Sequence, residues 1–229
     1  MRPMDIGVAG VTLTADSDTF WIVSETPLQV LSSSVIGGDM RETHHIMSAR
    51  VPDDPDQREF ALKRPRAFLR ERAQALGNNE PVVGLITMLD HDRLQVATHA
   101  EGDIKVTALA TVGLNHASAP GRHNVVYTGE EQPGTINLVV LADARLAPPA
   151  EVRAATLATE AKTLALFEAG IKTQDGSIAT GTSMDTIIVA STGRGPFFRY
   201  SGTSTLLGDL IGRAVHDVVA AGIKLEAQD

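Results

Sequence analysis

The stretch STLLGDLIGRAVHDVVAA, residues 204–221, carries the clearest pattern in the sequence and decides the fold class. Its apolar residues recur at the i, i+3, i+4 spacing of one helix face. They are Leu207, Leu210, Ile211, Ala214, Val215, Val218 and Val219. This spacing predicts a helix that buries one side. Gly208 and Gly212 stand four residues apart, which indicates close packing of the helix on a sheet.

A second helix is predicted upstream, over residues 149–169. Its apolar face comprises Leu157, Ala158, Ala161, Leu164 and Ala165, again at helical spacing. Pro149 suits the first turn of a helix, where no backbone N–H is needed, and Gly170 follows as a stop signal. Two amphipathic helices of this length need a partner surface to cover.

The rest of the chain has mainly strand patterns. Residues 5–14 and 19–25 are predicted to form a hairpin around the polar turn at 15–18. Further strands are predicted at 28–36, 43–51, 82–89, 94–98, 104–112, 135–141 and 186–190. Residues 57–76 have helical composition with a break at Pro65, and residues 113–129 are expected to be irregular.

These elements predict a mixed α/β fold of the α+β type. We expect one domain over residues 1–229, with antiparallel-rich sheet layers and helices packed on the outer faces.

Composition excludes several classes of function. The chain has 229 residues, no cysteine and a formal net charge of −8. Without cysteine there is no disulfide, thiolate metal site or cysteine nucleophile. The negative charge disfavours nucleic acid and anionic membranes as partners. No apolar run reaches the roughly 18 residues of a membrane span, and residues 1–10 do not resemble a secretory signal, so we expect a cytoplasmic protein.

Common cofactor and metal motifs are missing from the sequence. It contains no G-x-x-x-x-G-K-[ST], G-x-G-x-x-G, G-x-S-x-G or H-E-x-x-H. We therefore expect neither a bound cofactor nor a metal ion. The histidines His91, His99, His123 and His216 are expected at the surface or in loops.

Polar residues suited to chemistry fall in three segments. Thr156, Thr159, Glu160 and Thr163 share the polar face of the second helix, with Lys162 at its edge. The segment IATGTSMDTIIVA at 178–190 places Thr180 and Thr182 before Asp185, at the mouth of a buried strand, and Asn115 follows the strand at 104–112. A solvated helix face, an Asp-capped turn and plain turn residues explain these patterns equally well. The functional interpretation is a polar cleft with donors around a developing oxyanion.

Several short sequence segments, taken together and in this order, resemble the adenosylcobinamide amidohydrolase family. They are LSSSVIGGDMRETHHIMSARVP (31–52), VGLITMLD (83–90), ATVGLNHASAPG (110–121), GTINLVV (134–140), LATEAKT (157–163), ATGTSMDTIIVAS (179–191) and YSGTSTLLGDLIGRAV (200–215). The resemblance covers most of the chain after about residue 28. It departs from the expected pattern at Ser183-Met184, where Gly-Thr is expected, and a bulky Met184 is predicted to reshape the pocket.

The resemblance implies an enzyme of corrinoid salvage. Such an enzyme cleaves the amide between the corrin ring and the aminopropanol arm of cobinamide and yields cobyric acid. The implied partner is a corrinoid small molecule, with no nucleic acid and no membrane, and a homo-oligomer is compatible with the sequence. Two alternatives stay open: a non-catalytic corrinoid-binding or carrier protein, and an amidase for an unrelated small amide.

We assign candidate site residues from the segments that resemble the family. The predicted catalytic residues are Glu160, Lys162, Asp185 and Asn115. Glu160 is the first candidate for the base and Asp185 the alternative, while Lys162, Asn115 or backbone N–H groups would stabilise the oxyanion. The predicted substrate-binding residues are Thr180, Thr182, His45, Thr135 and Asn137. Thr180 or Thr182 is an alternative nucleophile to water, and nothing in the sequence selects between them. We expect Glu160, Lys162, Asn115, Thr182 and Asp185 to converge on one cleft.

Overall fold

A computed structural model describes residues 1–122 and 135–228 of the chain. Its strands are β1 (Arg2–Met4), β2 (Val11–Ala15), β3 (Thr19–Ser32), β4 (Met40–Arg50), β5 (Val82–Thr87), β6 (Gln95–Glu101), β7 (Ile104–Val112), β8 (Ala117–Ser118), β9 (Ile136–Ala142), β10 (Arg145–Leu146), β11 (Gly181–Thr182), β12 (Thr186–Ser191) and β13 (Phe197–Phe198). Its helices are α1 (Pro55–Lys63), α2 (Pro65–Ala75), α3 (Pro148–Glu168) and α4 (Leu206–Glu226).

One nine-stranded sheet forms the centre of the described part of the chain. Its order is β1-β2-β3-β12-β9-β7-β6, and β4 and β5 extend it from β3. Most neighbouring pairs are antiparallel, while β12–β9 and β4–β5 are parallel. The prediction of an antiparallel-rich sheet is confirmed.

The sheet curls so that its two halves pack face to face. The buried cluster between them joins Leu13, Phe20 and Ile46 of one half to Leu109 and Val139 of the other. Helices α3 and α4 cover the outer face of the β7–β9–β12 half, and α1 and α2 cover the outer face of the β3–β4–β5 half. The predicted mixed α/β fold, with helices on the outer faces, is therefore confirmed.

The two long helices form where their apolar spacing predicted them. Helix α4 begins after Thr205, whose Oγ1 accepts from the Gly208 N–H at 3.0 Å, and every residue of its predicted stripe is buried. In α3 the stripe is correct except for Leu164, which is 49% exposed. The break at Pro65 is also correct, because α2 begins there.

The close approach predicted for Gly208 and Gly212 lies elsewhere on α4. A Cβ at Gly212 would meet no atom within 4 Å, and one at Gly208 would collide with the Gly202 carbonyl group rather than with a strand. Gly222 makes the contact with the sheet instead, because a Cβ there would lie 2.5 Å from Val112 Cγ2 of β7.

Two strand predictions need correction. Residues 5–10 are not a strand, since Gly7 and Gly10 both have φ of +67°, a left-handed conformation that breaks extended pairing. The strand predicted at 28–36 is not separate: β3 runs on to Ser32 through an irregularity between Val23 and Leu28 that contains Pro27. A bulge is a place where a sheet tolerates proline. The predicted hairpin turn at 15–18 is confirmed by the pairing of β2 with β3.

Within residues 1–122 and 135–228, no helix is long and apolar enough to cross a bilayer. Of the segment predicted to be irregular, residues 123–129 lie outside the described residues, as does His123. His99 and His216 lie at the surface as predicted, where they contact Asp217 and Glu168.

His91 is buried, contrary to the prediction. Only 2% of the residue is exposed, and its ring packs edge-on against Phe20 with the centroids 5.4 Å apart. Its Nε2 lies 2.8 Å from Ser48 Oγ. Burial removes water from the imidazole and lowers its pKa from 6.5 to about 4.

This burial predicts a pH-dependent stability. The unfolded chain binds a proton at pH values where folded His91 does not, so the contribution is complete above the unfolded pKa near 6.5 and is lost as the pH falls toward about 4. Between pH 7.5 and 5, wild type should lose about 2 kcal/mol more unfolding free energy than His91→Gln, measured by urea denaturation. Equal losses in the two proteins would show that His91 does not titrate in this way.

Candidate active site

A buried ion pair joins α3 to the loop before β12. The Lys162 ammonium group donates to Asp185 Oδ2, and their side chains are only 6% and 13% exposed. Two charges this far from water need several partners to offset the loss of hydration. The neighbouring residues supply them.

Asp185 is held by donors from two other segments. Its Oδ1 accepts from Thr182 Oγ1 at 2.5 Å, from the Thr182 N–H at 3.2 Å and from the Ile136 N–H at 3.1 Å. One carboxylate therefore fixes α3, β11 and the start of β9 relative to one another.

Thr135 and Asn137 line the same place. Thr135 Oγ1 lies 2.9 Å from the Met184 carbonyl oxygen and 3.1 Å from Asn137 Oδ1. The parallel pairing of β9 with β12 sets Asn137 opposite Thr186, directly after Asp185. We call Lys162, Asp185, Thr182, Thr135 and Asn137 the Lys–Asp cluster.

Backbone geometry lets Lys162 and Asp185 reach the strand β11. Thr163 Oγ1 donates to the Thr180 carbonyl at 3.0 Å, which ties the segment to α3. Gly181 leaves room for the Lys162 and Asp185 side chains. A Cβ at position 181 would lie 2.6 Å from Lys162 Nζ and would also collide with Asp185 Oδ2. Only glycine fits this position without displacing the pair.

The arrangement offers the parts of a hydrolytic site. It has a hydroxyl group beside a carboxylate, a buried cation bound to that carboxylate, and a backbone N–H at the start of β9 that donates to it. Among residues 1–122 and 135–228, no group of three or more His, Asp or Glu side chains is placed to hold a metal ion.

Comparison with known proteins gives a specific match. The family profile described as adenosylcobinamide amidohydrolase matches residues 7–229. A Methanosarcina mazei protein named adenosylcobinamide amidohydrolase is 30% identical over 216 residues, 90% of this chain and 96% of that protein. The chain belongs to the adenosylcobinamide amidohydrolase family. It is thus an enzyme that hydrolyses an amide, as predicted.

Two further proteins are similar to this chain. An uncharacterised Methanocaldococcus jannaschii protein is 32% identical over 164 residues, 63% of this chain and 64% of that protein. Among solved structures, a Burkholderia sp. beta-aminopeptidase aligns with 97% of this chain and 87% of its own, at 12% identity and a TM-score of 0.47.

Glu160 does not join the Lys–Asp cluster of this family member. It precedes Lys162 by two residues, about 200° around the helix axis, and so faces solvent. Its carboxylate is 53% exposed and bound to Arg153 at 2.8 Å. The expected convergence is therefore wrong for Glu160 and correct for Lys162, Thr182 and Asp185.

The remaining predicted residues occupy different places. Asn115 is exposed in the turn before β8, which pairs with β11, so it lies beside the cluster without a bond to it. His45 lies on β4, stacked on Trp21 with ring centroids 5.2 Å apart and bound to Glu80 at 3.1 Å. In the part of the chain that the structure describes, His45 has no hydrogen bond or ion pair with the Lys–Asp cluster.

Met184, the departure from the expected family pattern, does not fill the cluster. The residue is 60% exposed, and it contributes its carbonyl oxygen, not its side chain, to the contact with Thr135. Its side chain is therefore placed at the surface beside the site.

The close fit at Gly181 yields a stability prediction. Gly181→Ala should lower the free energy of unfolding by about 1–3 kcal/mol, since the added methyl must displace Lys162 or Asp185. Gly202→Ala is the matched control, because a Cβ at Gly202 meets no atom within 4 Å. Urea denaturation of both variants measures the difference, and an unchanged Gly181→Ala protein would contradict the tight packing.

Proposed function

We propose that this protein hydrolyses the amide that joins the aminopropanol arm to the corrin ring of adenosylcobinamide, releasing cobyric acid and aminopropanol. Membership of the family and the name of the Methanosarcina mazei relative support the substrate. The observation that carries the chemistry is the Thr182 hydroxyl held 2.5 Å from Asp185, with Lys162 bound to the same carboxylate.

The Thr182 hydroxyl is the nucleophile in this proposal. Its oxygen attacks the amide carbonyl carbon while its proton passes to Asp185 Oδ1, the atom to which it already donates. The carbonyl oxygen becomes an oxyanion, and the Lys162 ammonium group offsets the added negative charge. Collapse breaks the C–N bond, and the proton on Asp185 passes to the departing amine.

Water completes the cycle. It attacks the ester formed on Thr182, gives one proton to Asp185 and releases the carboxylic acid. Asp185 then passes this proton to Thr182 Oγ1 as the ester bond breaks, so the enzyme regains its starting state. Asp185 shuttles one proton in each half-reaction, and Lys162 keeps its charge throughout.

Thr135 is the second hydroxyl of the cluster and a weaker candidate. Its Oγ1 faces two carbonyl oxygens, of Met184 and the Asn137 side chain, and neither accepts a proton readily. Thr135 and Asn137 are proposed as substrate contacts, together with Thr180 and Asn115 beside the cluster. Glu160 has no part in this mechanism because it faces away.

Other predictions stay as the sequence analysis left them. The division into one domain over 1–229, the cytoplasmic location, the contact of His45 with substrate and the homo-oligomer are still predictions.

Incubation with adenosylcobinamide, followed by chromatography, separates the proposed hydrolase from the two alternatives. Release of aminopropanol supports the proposal, and binding without release supports a carrier. The absence of both binding and release supports an amidase for another compound.

The nucleophile assignment is tested by substitution. Thr182→Val keeps the size of the side chain and removes the hydroxyl, so turnover should fall at least about 10³-fold, while Thr182→Ser should retain measurable turnover. The assay is aminopropanol release under saturating adenosylcobinamide.

Thr135→Val is the matched control for this experiment, since it removes the other hydroxyl of the cluster. We expect it to lose less turnover than Thr182→Val. If Thr135→Val abolishes turnover and Thr182→Val does not, the nucleophile is Thr135 and the assignment to Thr182 is wrong.

A further inference from the structure

A second feature of the structure is a cavity lined by three arginines. It has a volume of about 340 Å³ and is lined by the loop from Ser34 to Asp39, by Arg41 of β4, and by the exposed Arg66 and Arg70 of α2. It shares no residue with the Lys–Asp cluster. In a chain of net charge −8, this local concentration of positive charge calls for a physical reason.

Two of the three arginines have no acidic partner in the described part of the chain. Arg41 makes a two-point contact with Asp39, at 2.6 Å from Nε and 2.5 Å from Nη2. Arg66 and Arg70 have neither an ion pair nor a hydrogen bond within residues 1–122 and 135–228. They stand four residues apart on one helix, a spacing at which like charges repel. The cavity therefore holds three cations and one anion.

The loop that closes the cavity is built from two glycines that cannot be replaced freely. Gly37 has φ of +75°, and a Cβ there would lie 2.8 Å from Val83 Cγ2 and 3.3 Å from Arg41 Nε. A Cβ at Gly38 would lie 2.5 Å from the Ser34 carbonyl oxygen. The backbone can therefore approach Arg41 and the cavity closely at this place.

A neighbouring cavity of about 320 Å³ shares Arg41 and Arg70 and contains Glu80. Glu80 is bound to His45, so its carboxylate is not a partner of either arginine. Among the described residues that line the two cavities, Asp39 is the acidic residue that pairs with one of these arginines, Arg41.

We infer that this three-arginine cavity binds a phosphate group. Guanidinium groups bind phosphate oxygens through paired N–H donors, and an anion between Arg66 and Arg70 removes their mutual repulsion. A phosphate dianion matches the excess of two positive charges, whereas a neutral ligand does not. The phosphate is either free in solution or an ester on a larger molecule.

Titration calorimetry with inorganic phosphate, in a chloride buffer of low ionic strength, tests this inference. Wild type should bind phosphate saturably, and the double variant Arg66→Gln/Arg70→Gln should bind it at least about tenfold more weakly, because charge-assisted hydrogen bonds are lost. The control is Arg199→Gln. Arg199 lies outside the cavity, is exposed and has no partner in the described part of the chain, so this variant should bind phosphate as wild type does.

Thermal unfolding keeps the test interpretable. Since Arg66 and Arg70 have no described partners, the double variant should unfold at the wild-type temperature or slightly above it without phosphate. Added phosphate should raise the unfolding temperature of wild type and of Arg199→Gln only. No saturable binding to wild type, or equal binding by the double variant, overturns the inference.

Steady-state kinetics distinguish the two sources of phosphate, and this arm alone rests on the proposed function. If the phosphate is carried by the substrate, inorganic phosphate should raise KM for a corrinoid phosphorylated on its aminopropanol hydroxyl and leave KM for cobinamide unchanged. If it is a free ligand, neither KM should change. Hydrolysis can fail altogether without affecting the calorimetric result.

Discussion

The buried ion pair of Lys162 and Asp185 is the constraint on which the candidate site depends. Removing either partner would leave a charge without compensation in a place that water barely reaches. Asp185 also accepts hydrogen bonds from Thr182 and from the Ile136 N–H, so the same carboxylate joins a helix, a short strand and the end of the central sheet. The positions of the reactive groups follow from how this one charge is satisfied.

The fold supports the ion pair by bringing α3 very close to the sheet. The face of α3 that packs inward carries small side chains, Ala154, Ala158 and Ala161, all of them buried. A helix with alanines at the contact approaches its neighbour more closely than one with large residues. Lys162, one position after Ala161, is thereby carried to Asp185. The parallel pairing of β9 and β12 then sets Asn137 and Thr186 side by side at the same end of the sheet.

Apolar periodicity predicted both long helices, because burial of one face dominates where a helix forms. The role of Lys162 was harder to predict. Position 162 lies four residues after Ala158 and is therefore in phase with the apolar stripe. A lysine at this position is equally typical of the exposed edge of a polar helix face. Only the partner 23 residues away decides its direction. The convergence predicted for Glu160 is wrong for the complementary reason. The family resemblance concerns which residue stands at position 160, whereas the rotation of the helix determines that its side chain points to solvent. Burial of His91 likewise depends on a contact with Phe20, a residue that is far from it in the sequence.

A double-mutant cycle on Lys162 and Asp185 tests most directly whether the buried pair organises the site. The measured quantity is the free energy of unfolding of Lys162→Met, Asp185→Asn and the combined variant. Each single substitution should cost about 3–5 kcal/mol, since it leaves one buried polar group without its partner. The combined variant should cost clearly less than the sum, with a coupling energy of about 1–3 kcal/mol. Small and additive losses would contradict the account, because they would mean that the two charges do not depend on each other.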